Sequence, residues 1–410
     1  MQNNIKLILK IFLYQIIIYF NSVFILDIFH EIRGYNINLQ QDDFNILFFW
    51  ISLLPLALLT NQKNPIMVFL WLIYIIYIIP VSIVFPIINS ASIHSITFIL
   101  AINILFSLSI LFFRITNRIN LPRIQIPWNS YKILIIGCGI IVLFFVITNP
   151  AFSLIPPNIF KVYSVRENFN ENTPLLTIYI ITNGGYVISP LLLLVSIYMR
   201  GFVKYILIAI SIIISYLIYC SSGLKSIAFM NFTVITLFFY IKGQKNISNS
   251  VINIILYSFI AAGLLYFVFD FYDPLIHWLR RIFFTPTLNT FYFYDYTLNN
   301  DKEFTKDAPK IISQIYYGTL GSANTGFIGD GIARYGIIGL IINFIIFNIL
   351  IFVMNLSTKK VPFEFSTTLY LPFVYTVSNT AITALLLTYG LLILSILLFL
   401  FPTKNNKSVL

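Results

Sequence analysis

Runs of roughly twenty mostly apolar residues follow one another along this chain, and nothing else constrains its fold as strongly. A helix needs about 20 such residues to cross the hydrocarbon of a bilayer. Twelve runs meet that length to within a few residues: about 6–26, 44–60, 65–88, 95–113, 133–149, 175–199, 205–221, 224–241, 251–269, 332–356, 365–382 and 385–402. Only 10% of residues are charged and 59% are hydrophobic, where soluble domains carry about 25% charged residues. The chain is therefore expected to be an all-α, polytopic transmembrane helical bundle of about twelve spans, a single integral membrane domain over residues 1–410. The first run is too long for the core of a cleavable signal and no small-residue cleavage site follows it, so it reads as the first span. The last two runs share one apolar stretch in which only Ser378-Asn379-Thr380 marks a turn.

Charge sets the orientation. With the N-terminus in the cytoplasm and alternating spans, the inner segments hold Lys6, Lys10, Lys63, Arg114, Arg118, Arg123, Lys132, Arg200, Lys204, Lys242, Lys245, Lys359, Lys360, Lys404 and Lys407. Those are 15 of the 25 basic residues, while Glu364 is the one acid of 14 on that side. The net charge of +11 is thus a topology signal, not a nucleic-acid footprint. Both termini are expected in the cytoplasm.

Chemistry is then expected outside, where two segments exceed a simple turn, 150–174 and 270–331. The longer, about 60 residues rich in Tyr, Phe and Asn, is expected to hold one or two helices on the membrane surface. Leu275–Phe284, with Trp278 at the interface, is the best candidate. This segment closes on Thr325-Gly326-Phe327-Ile328-Gly329-Asp330-Gly331 and Tyr335-Gly336-Ile337-Ile338-Gly339. Those glycines let backbone segments approach closely or adopt positive φ. Asp330 and Arg334, four apart, form an ionisable pair at a bilayer boundary, which points to a binding site. Asp330 can equally cap the following helix or serve only as the ion-pair partner of Arg334.

Ten basic residues fall outside or at the boundary, against the positive-inside trend: Arg33, Lys161, Arg166, Lys225, Arg280, Arg281, Lys302, Lys306, Lys310 and Arg334. Guanidinium groups bind phosphate oxygens through planar, paired hydrogen bonds. Arg166, in Val162-Tyr163-Ser164-Val165-Arg166-Glu167-Asn168, leads the shorter loop, and Arg280 and Arg281 lead the longer. Lys225 lies in Ser221-Ser222-Gly223-Leu224-Lys225-Ser226, a polar break between two spans. It either snorkels to headgroups or points into a cavity and holds a phosphate. Lys302, Lys306 and Lys310 alternate with Asp301, Glu303 and Asp307 as a solvated, self-neutralising face. Proton transfer at a hydroxyl needs a carboxylate or histidine in reach, for which the outer side offers Glu167, His277, Asp270, Asp273 and Asp330. His277 precedes Arg280 by three, so on a helix the two share a face.

Other classes lack their equipment. There is no His/Cys cluster for zinc, no phosphate-binding G-x-x-x-x-G-K-[ST] loop and no G-x-S-x-G elbow. Cys138 and Cys220 lie in apolar runs at unrelated spacing. Asp27, Glu31, Asp42 and Asp43 occupy the first outer loop, but Asp27 and Glu31 are not in D-x-D spacing. No metal and no cofactor is expected.

Twelve spans, short basic inner loops, two enlarged outer loops with arginines and the glycine-rich segment 325–339 together resemble the Wzy-type oligosaccharide repeat-unit polymerases. That family sits in a broader group with the O-antigen ligases and has a GT-C-like membrane fold. The architectural likeness covers the whole chain, and its sharpest part is the 15 or so residues 325–339. Tyr163…Arg166 and the Ser-Gly-Leu-Lys-Ser turn at 222–226 add to it. The resemblance implies a metal-independent, inverting glycosyl transfer at the outer face of the plasma (inner) membrane. A growing glycan on polyprenyl pyrophosphate would be the donor and a single lipid-linked repeat unit the acceptor, giving O-antigen or capsule. Arg166, Lys225, Arg280, Arg281 and Arg334 would then face the pyrophosphate, with Glu167, His277 or Asp330 as base. Tyr163 and Tyr292, with Tyr294 and Tyr296, would stack on sugar rings. A flippase and a chain-length regulator are the implied partners, and nucleic acid is not.

Two rival readings stand beside it. An O-antigen ligase shares the donor chemistry and differs in its acceptor. A lipid-linked oligosaccharide flippase would place ionisable residues inside its spans and keep its loops short, unlike this chain.

Overall fold

The computed structural model describes residues 2–33, 46–59, 64–88, 93–122, 124, 126–244, 247–269, 271, 280–299, 308–318 and 321–402. Among these there is no strand, and nine helices are long and apolar enough to cross a membrane, the pattern of a multi-pass membrane protein. They are Lys6–Val23, Pro65–Ile88, His94–Thr116, Trp128–Ile147, Leu175–Ile197, Phe202–Ser222, Lys225–Gly243, Asn249–Tyr266 and Phe327–Thr358.

Three expected spans take another form. In place of 44–60 there is a 7-residue helix, Ile46–Ser52, and then a 3₁₀ turn over Leu54–Leu58 containing Pro55. Seven residues rise only about 10 Å. The two runs between 365 and 402 become four short helices, Phe363–Tyr370, Pro372–Asn379, Ile382–Leu387 and Leu391–Phe399. Pro372 lacks the N–H that would continue its predecessor. Gly390 takes a φ of 77°, and a Cβ there would lie 1.8 Å from Asn183 Oδ1.

The chain forms two compact units, Met1–Arg118 with Gln244–Phe352 and Val374–Ile382, and Ile119–Gly243 with Val353–Phe373 and Thr383–Leu410. In the first, the Pro65–Ile88 span is almost wholly buried. The helices Gln2–Arg33, Ile46–Ser52, Ile93–Thr116 and Thr285–Asn299 pack on it. This central helix widens to a π turn at Tyr74–Ile78, and the cause is Pro80. A proline ring clashes with the carbonyl four residues back, so the preceding turn loosens and the Ile79 N–H reaches Tyr74 O instead. Pro80 has no N–H for the next carbonyl, that of Ile75, and the Tyr14 hydroxyl donates to it at 2.7 Å. The same device recurs at Gly184–Ile188 before Pro190 and at Arg280–Phe284 before Pro286.

The expectation for 270–331 needs correcting in its middle. Residues 275–279 lie outside the described residues, but Arg280–Phe284 leads directly into the helix Thr285–Asn299, whose Leu288, Phe291, Tyr292 and Phe293 are core. Its polar residues are buried too. Thr287 donates to Phe283 O and Thr290 to Pro286 O, both at 2.8 Å, and the Tyr77 hydroxyl meets Thr290 Oγ1 at 3.0 Å. Hydroxyls satisfied by their own helix cost little to bury, so a segment that reads as polar becomes interior.

In the second unit the buried span is Leu175–Ile197, packed by Trp128–Ile147, Phe202–Ser222 and Lys225–Gly243. Its π turn carries Gly184 and Gly185, where a Cβ would lie 2.3 Å from Val142 and 2.5 Å from Ile227. One turn on, Ser189 joins Ser211, Ser215 and Asn231 in a buried hydrogen-bonded group, with Asn231 Nδ2 donating to Ser189 Oγ at 2.9 Å.

Candidate functional site

The glycine-rich segment builds a helical hairpin in the first unit. The backbone leaves helical geometry at Tyr335 and Gly336, the latter with φ 60° and ψ −138°. Asn343 Nδ2 then donates to Phe327 O at 2.7 Å. Sixteen residues of straight helix would separate those positions by about 24 Å, so the piece before the bend folds back on the piece after it. The glycines make this possible. A Cβ on Gly339 would sit 2.0 Å from Gly331 O, and one on Gly326 would meet both the Tyr77 hydroxyl and Ser378 O within 2.7 Å.

Within the hairpin, Arg334 Nε lies 3.1 Å from Asp330 Oδ1 and 3.2 Å from Oδ2. Asn343 Nδ2 also reaches Oδ2, at 3.3 Å. The Asp330 side chain is only 13% exposed. Both its oxygens are engaged, so it is a poor proton acceptor as it stands and a good brace. The ion-pair reading of Asp330 and Arg334 is the one this geometry supports.

In the second unit the helix Val162–Asn172 places Tyr163, Arg166 and Glu167 at i, i+3 and i+4, hence on one face. Arg166 is half-buried and its guanidinium lies over the Tyr163 ring, 5.7 Å from the centroid. Its Nη2 donates to Gly223 O at 3.3 Å, while its buried Nε has no partner. Gly223 holds φ 66°, and a Cβ there would be 2.9 Å from Val162 O, which explains the glycine in the Ser-Gly-Leu-Lys-Ser turn. Lys225 and Glu167 are exposed. The Tyr186 hydroxyl bonds Ser226 Oγ at 2.6 Å, its ring packs on Tyr389 at 4.9 Å, and it lies within electrostatic reach of Arg166. This cluster holds two cations, several hydroxyls and one open carboxylate, the components of an anion site with a base beside it.

The remaining expected residues are placed as follows. Arg280 is half-buried, and Arg281 is exposed and close enough to Tyr375 to act on it electrostatically. His277 lies outside the described residues. Tyr163 is 74% exposed, but Tyr292 is 3% exposed and needs correcting as a sugar-stacking ring. One of its faces is covered by Tyr316 at 4.4 Å, and Tyr317 abuts it edge-on at 5.3 Å. Tyr316 in turn donates to Asp295 Oδ2 at 2.6 Å. Burial, and then that bond to a carboxylate, push the Tyr316 phenol well above its ordinary pKa, so the bond persists at any physiological pH. Among the described residues no three His, Cys, Asp or Glu side chains converge.

Sequence reasoning passed over Tyr186, Ser226, Tyr389 and Asn343. For Asn343 a signal existed, because an amide inside an otherwise apolar span must find a partner. No protein-family model matches the chain, and no curated protein or solved structure is detectably similar to it. The functional reading therefore rests on the geometry of these residues.

Proposed function

We propose that this chain is a Wzy-type polymerase, joining polyprenyl-pyrophosphate-linked repeat units into a surface polysaccharide at the outer face of the plasma membrane. In this reading its helices form a GT-C-like bundle of about twelve spans, with both termini in the cytoplasm. The observation that carries it is Arg166, a half-buried guanidinium with an unpartnered Nε, no carboxylate paired to it among the described residues, and Lys225 and Glu167 nearby in sequence. Such a group is prepared for an anion.

The acceptor hydroxyl oxygen attacks the anomeric carbon of the donor sugar from the face opposite the pyrophosphate, and the configuration inverts. The carbon–oxygen bond to pyrophosphate breaks and its electron pair leaves with the polyprenyl pyrophosphate. Arg166 and Lys225 stabilise the charge growing there, the kind of contact that contributes most when donors are fixed beforehand. Glu167 takes the hydroxyl proton. Tyr163 presents an open ring to the sugar, and the Asp330–Arg334 hairpin holds its own loop in place.

A gel of surface glycans from cells with and without the gene tests this. Loss of the ladder with core plus one repeat unit retained is the expected result. Loss of every repeat-bearing species would instead assign a ligase or a flippase.

A further inference from the structure

The first unit contains a cavity of about 420 Å³, open on one side, inside the roughly 300–1,000 Å³ range of ligand pockets. Its walls are the first two turns of the helix Ile93–Thr116, the last turn of Thr285–Asn299 and the bend at Gly336. Its floor is the stacked pair Phe98 and Tyr294, with centroids 4.5 Å apart. The bend contributes directly, since a Cβ on Gly336 would meet nothing within 4 Å.

The lining is more apolar than its residue types suggest. Thr97 donates to His94 O at 2.9 Å and Thr297 to Phe293 O at 2.7 Å, so both hydroxyls are turned to their own helices. Water there would find few of the two to four polar partners it needs. The walls also continue beyond the cavity. Along the Ile93–Thr116 helix, His94, Thr97 and Ala101 run on at the same three-four spacing into Ile104, Leu108, Leu111 and Ile115, all four exposed. On the bent helix, Ile337 runs on at spacing four into exposed Ile341, Ile345 and Ile349. Both helices are candidate spans, so these stripes are wetted by lipid chains, and the cavity is where the two stripes end.

We propose that this cavity binds one aliphatic chain of a membrane lipid, delivered along the stripes. The inference stands apart from glycosyl transfer and needs none of Arg166, Lys225 or Glu167. An acyl phospholipid and an isoprenoid phosphate carry the same chain chemistry, and competition separates them.

The test uses the full chain in nanodiscs of phosphatidylethanolamine and phosphatidylglycerol, doped with a phosphatidylethanolamine bearing a photoactivatable diazirine on its acyl chain. Adducts are mapped by mass spectrometry. Labelling of peptides holding His94–Ala101 and Ile332–Ile337 is expected to saturate as the probe fraction rises, while labelling of Ile341–Ile349 rises linearly. Ala101→Trp, filling one wall, is expected to cut the saturable part about tenfold, equivalent to ~1.4 kcal/mol, and to leave the linear part unchanged. Thr297→Phe fills the opposite wall and serves if the first variant does not fold. Loss of the saturable part on adding unlabelled phospholipid, or unlabelled polyprenyl phosphate, supports the site and names its source. Linear labelling at the cavity, saturable labelling that survives both variants, or competition by neither lipid overturns it.

Discussion

Two arginines beside glycine-dependent turns differ in what surrounds them. Arg334, one turn before the bend at Gly336, is taken by Asp330 in its own helix, and Asn343 holds the carboxylate from the returning strand of the hairpin. Arg166, against the turn at Gly223, has only a carbonyl and an aromatic ring for company, and its Nε is left over. A guanidinium neutralised by its own helix is a brace. One buried without a carboxylate carries an unbalanced charge and a spare donor, which is destabilising unless an anion comes to meet it. The contrast assigns structure to the first and binding to the second, and it can be broken at several points.

The largest effect is expected at the hairpin itself. Gly339→Val drives a side chain into Gly331 O, already only 2.0 Å from a Cβ, and overpacking of this kind costs about 1–3 kcal/mol or more. Folded protein in detergent, followed by size-exclusion chromatography, should largely disappear. Gly336→Ala meets open space and bears only the backbone penalty of about 1–3 kcal/mol, so its melting temperature should fall without loss of the fold. Equal behaviour of the two would mean that the close approach of Gly331 and Gly339 is not what shapes the hairpin.

Next comes Arg166→Ala. The glycan ladder should drop by about 10²-fold or more, the size of effect seen when one preorganised charge-stabilising donor is lost, while the amount and melting temperature of the protein hold. Arg166→Lys keeps the charge but not the planar fork and should restore only part of the ladder. A normal ladder from Arg166→Ala would remove this residue from the site and with it the contrast drawn above.

The brace is expected to be smaller and to act on stability. Asp330→Ala leaves Arg334 and Asn343 without their acceptor and should cost about 1–3 kcal/mol. In a double-mutant cycle with Arg334→Ala the two should couple by more than about 0.5 kcal/mol, as contacting residues do. Polymer per folded molecule should stay near normal. A ladder that vanishes at full stability would make Asp330 a participant in chemistry and reverse the assignment.

How much of this was legible beforehand follows from the range of each interaction. Apolar runs of the right length marked the nine long helices, because a span is a local property. The glycines of 325–339 announced close approach for the same reason. The 285–299 helix was hidden because Thr287, Asn289 and Thr290 look solvated by type, and only the finished helix shows two of those hydroxyls bonded inward. The π turns follow from Pro80, Pro190 and Pro286, yet a proline in a sequence reads as a break, and whether the helix ends or widens depends on what fills the freed carbonyl, as Tyr14 does for Ile75. Arg166 was visible as a cation, but its state depends on Gly223, 57 residues away, and on Tyr186. No local pattern carries a contact at that distance.

Tyr186 offers the finest probe of the contrast. Its hydroxyl bonds Ser226 Oγ at 2.6 Å, it lies within electrostatic reach of Arg166, and its ring rests on Tyr389. Tyr186→Phe keeps the ring packing and removes one hydrogen bond, worth about 0.5–1.5 kcal/mol. If the Tyr186–Ser226 pair only ties two helices together, Tyr186→Phe and Ser226→Ala should lower the melting temperature equally and leave the ladder intact. If the hydroxyls help define where an anion sits beside Arg166, the ladder should fall about fivefold, the rate equivalent of ~1 kcal/mol, in Tyr186→Phe and no further when Arg166→Lys is added. Coupling of that kind, absent for any substitution at Asp330, is what separates an arginine held for a ligand from one held for the fold.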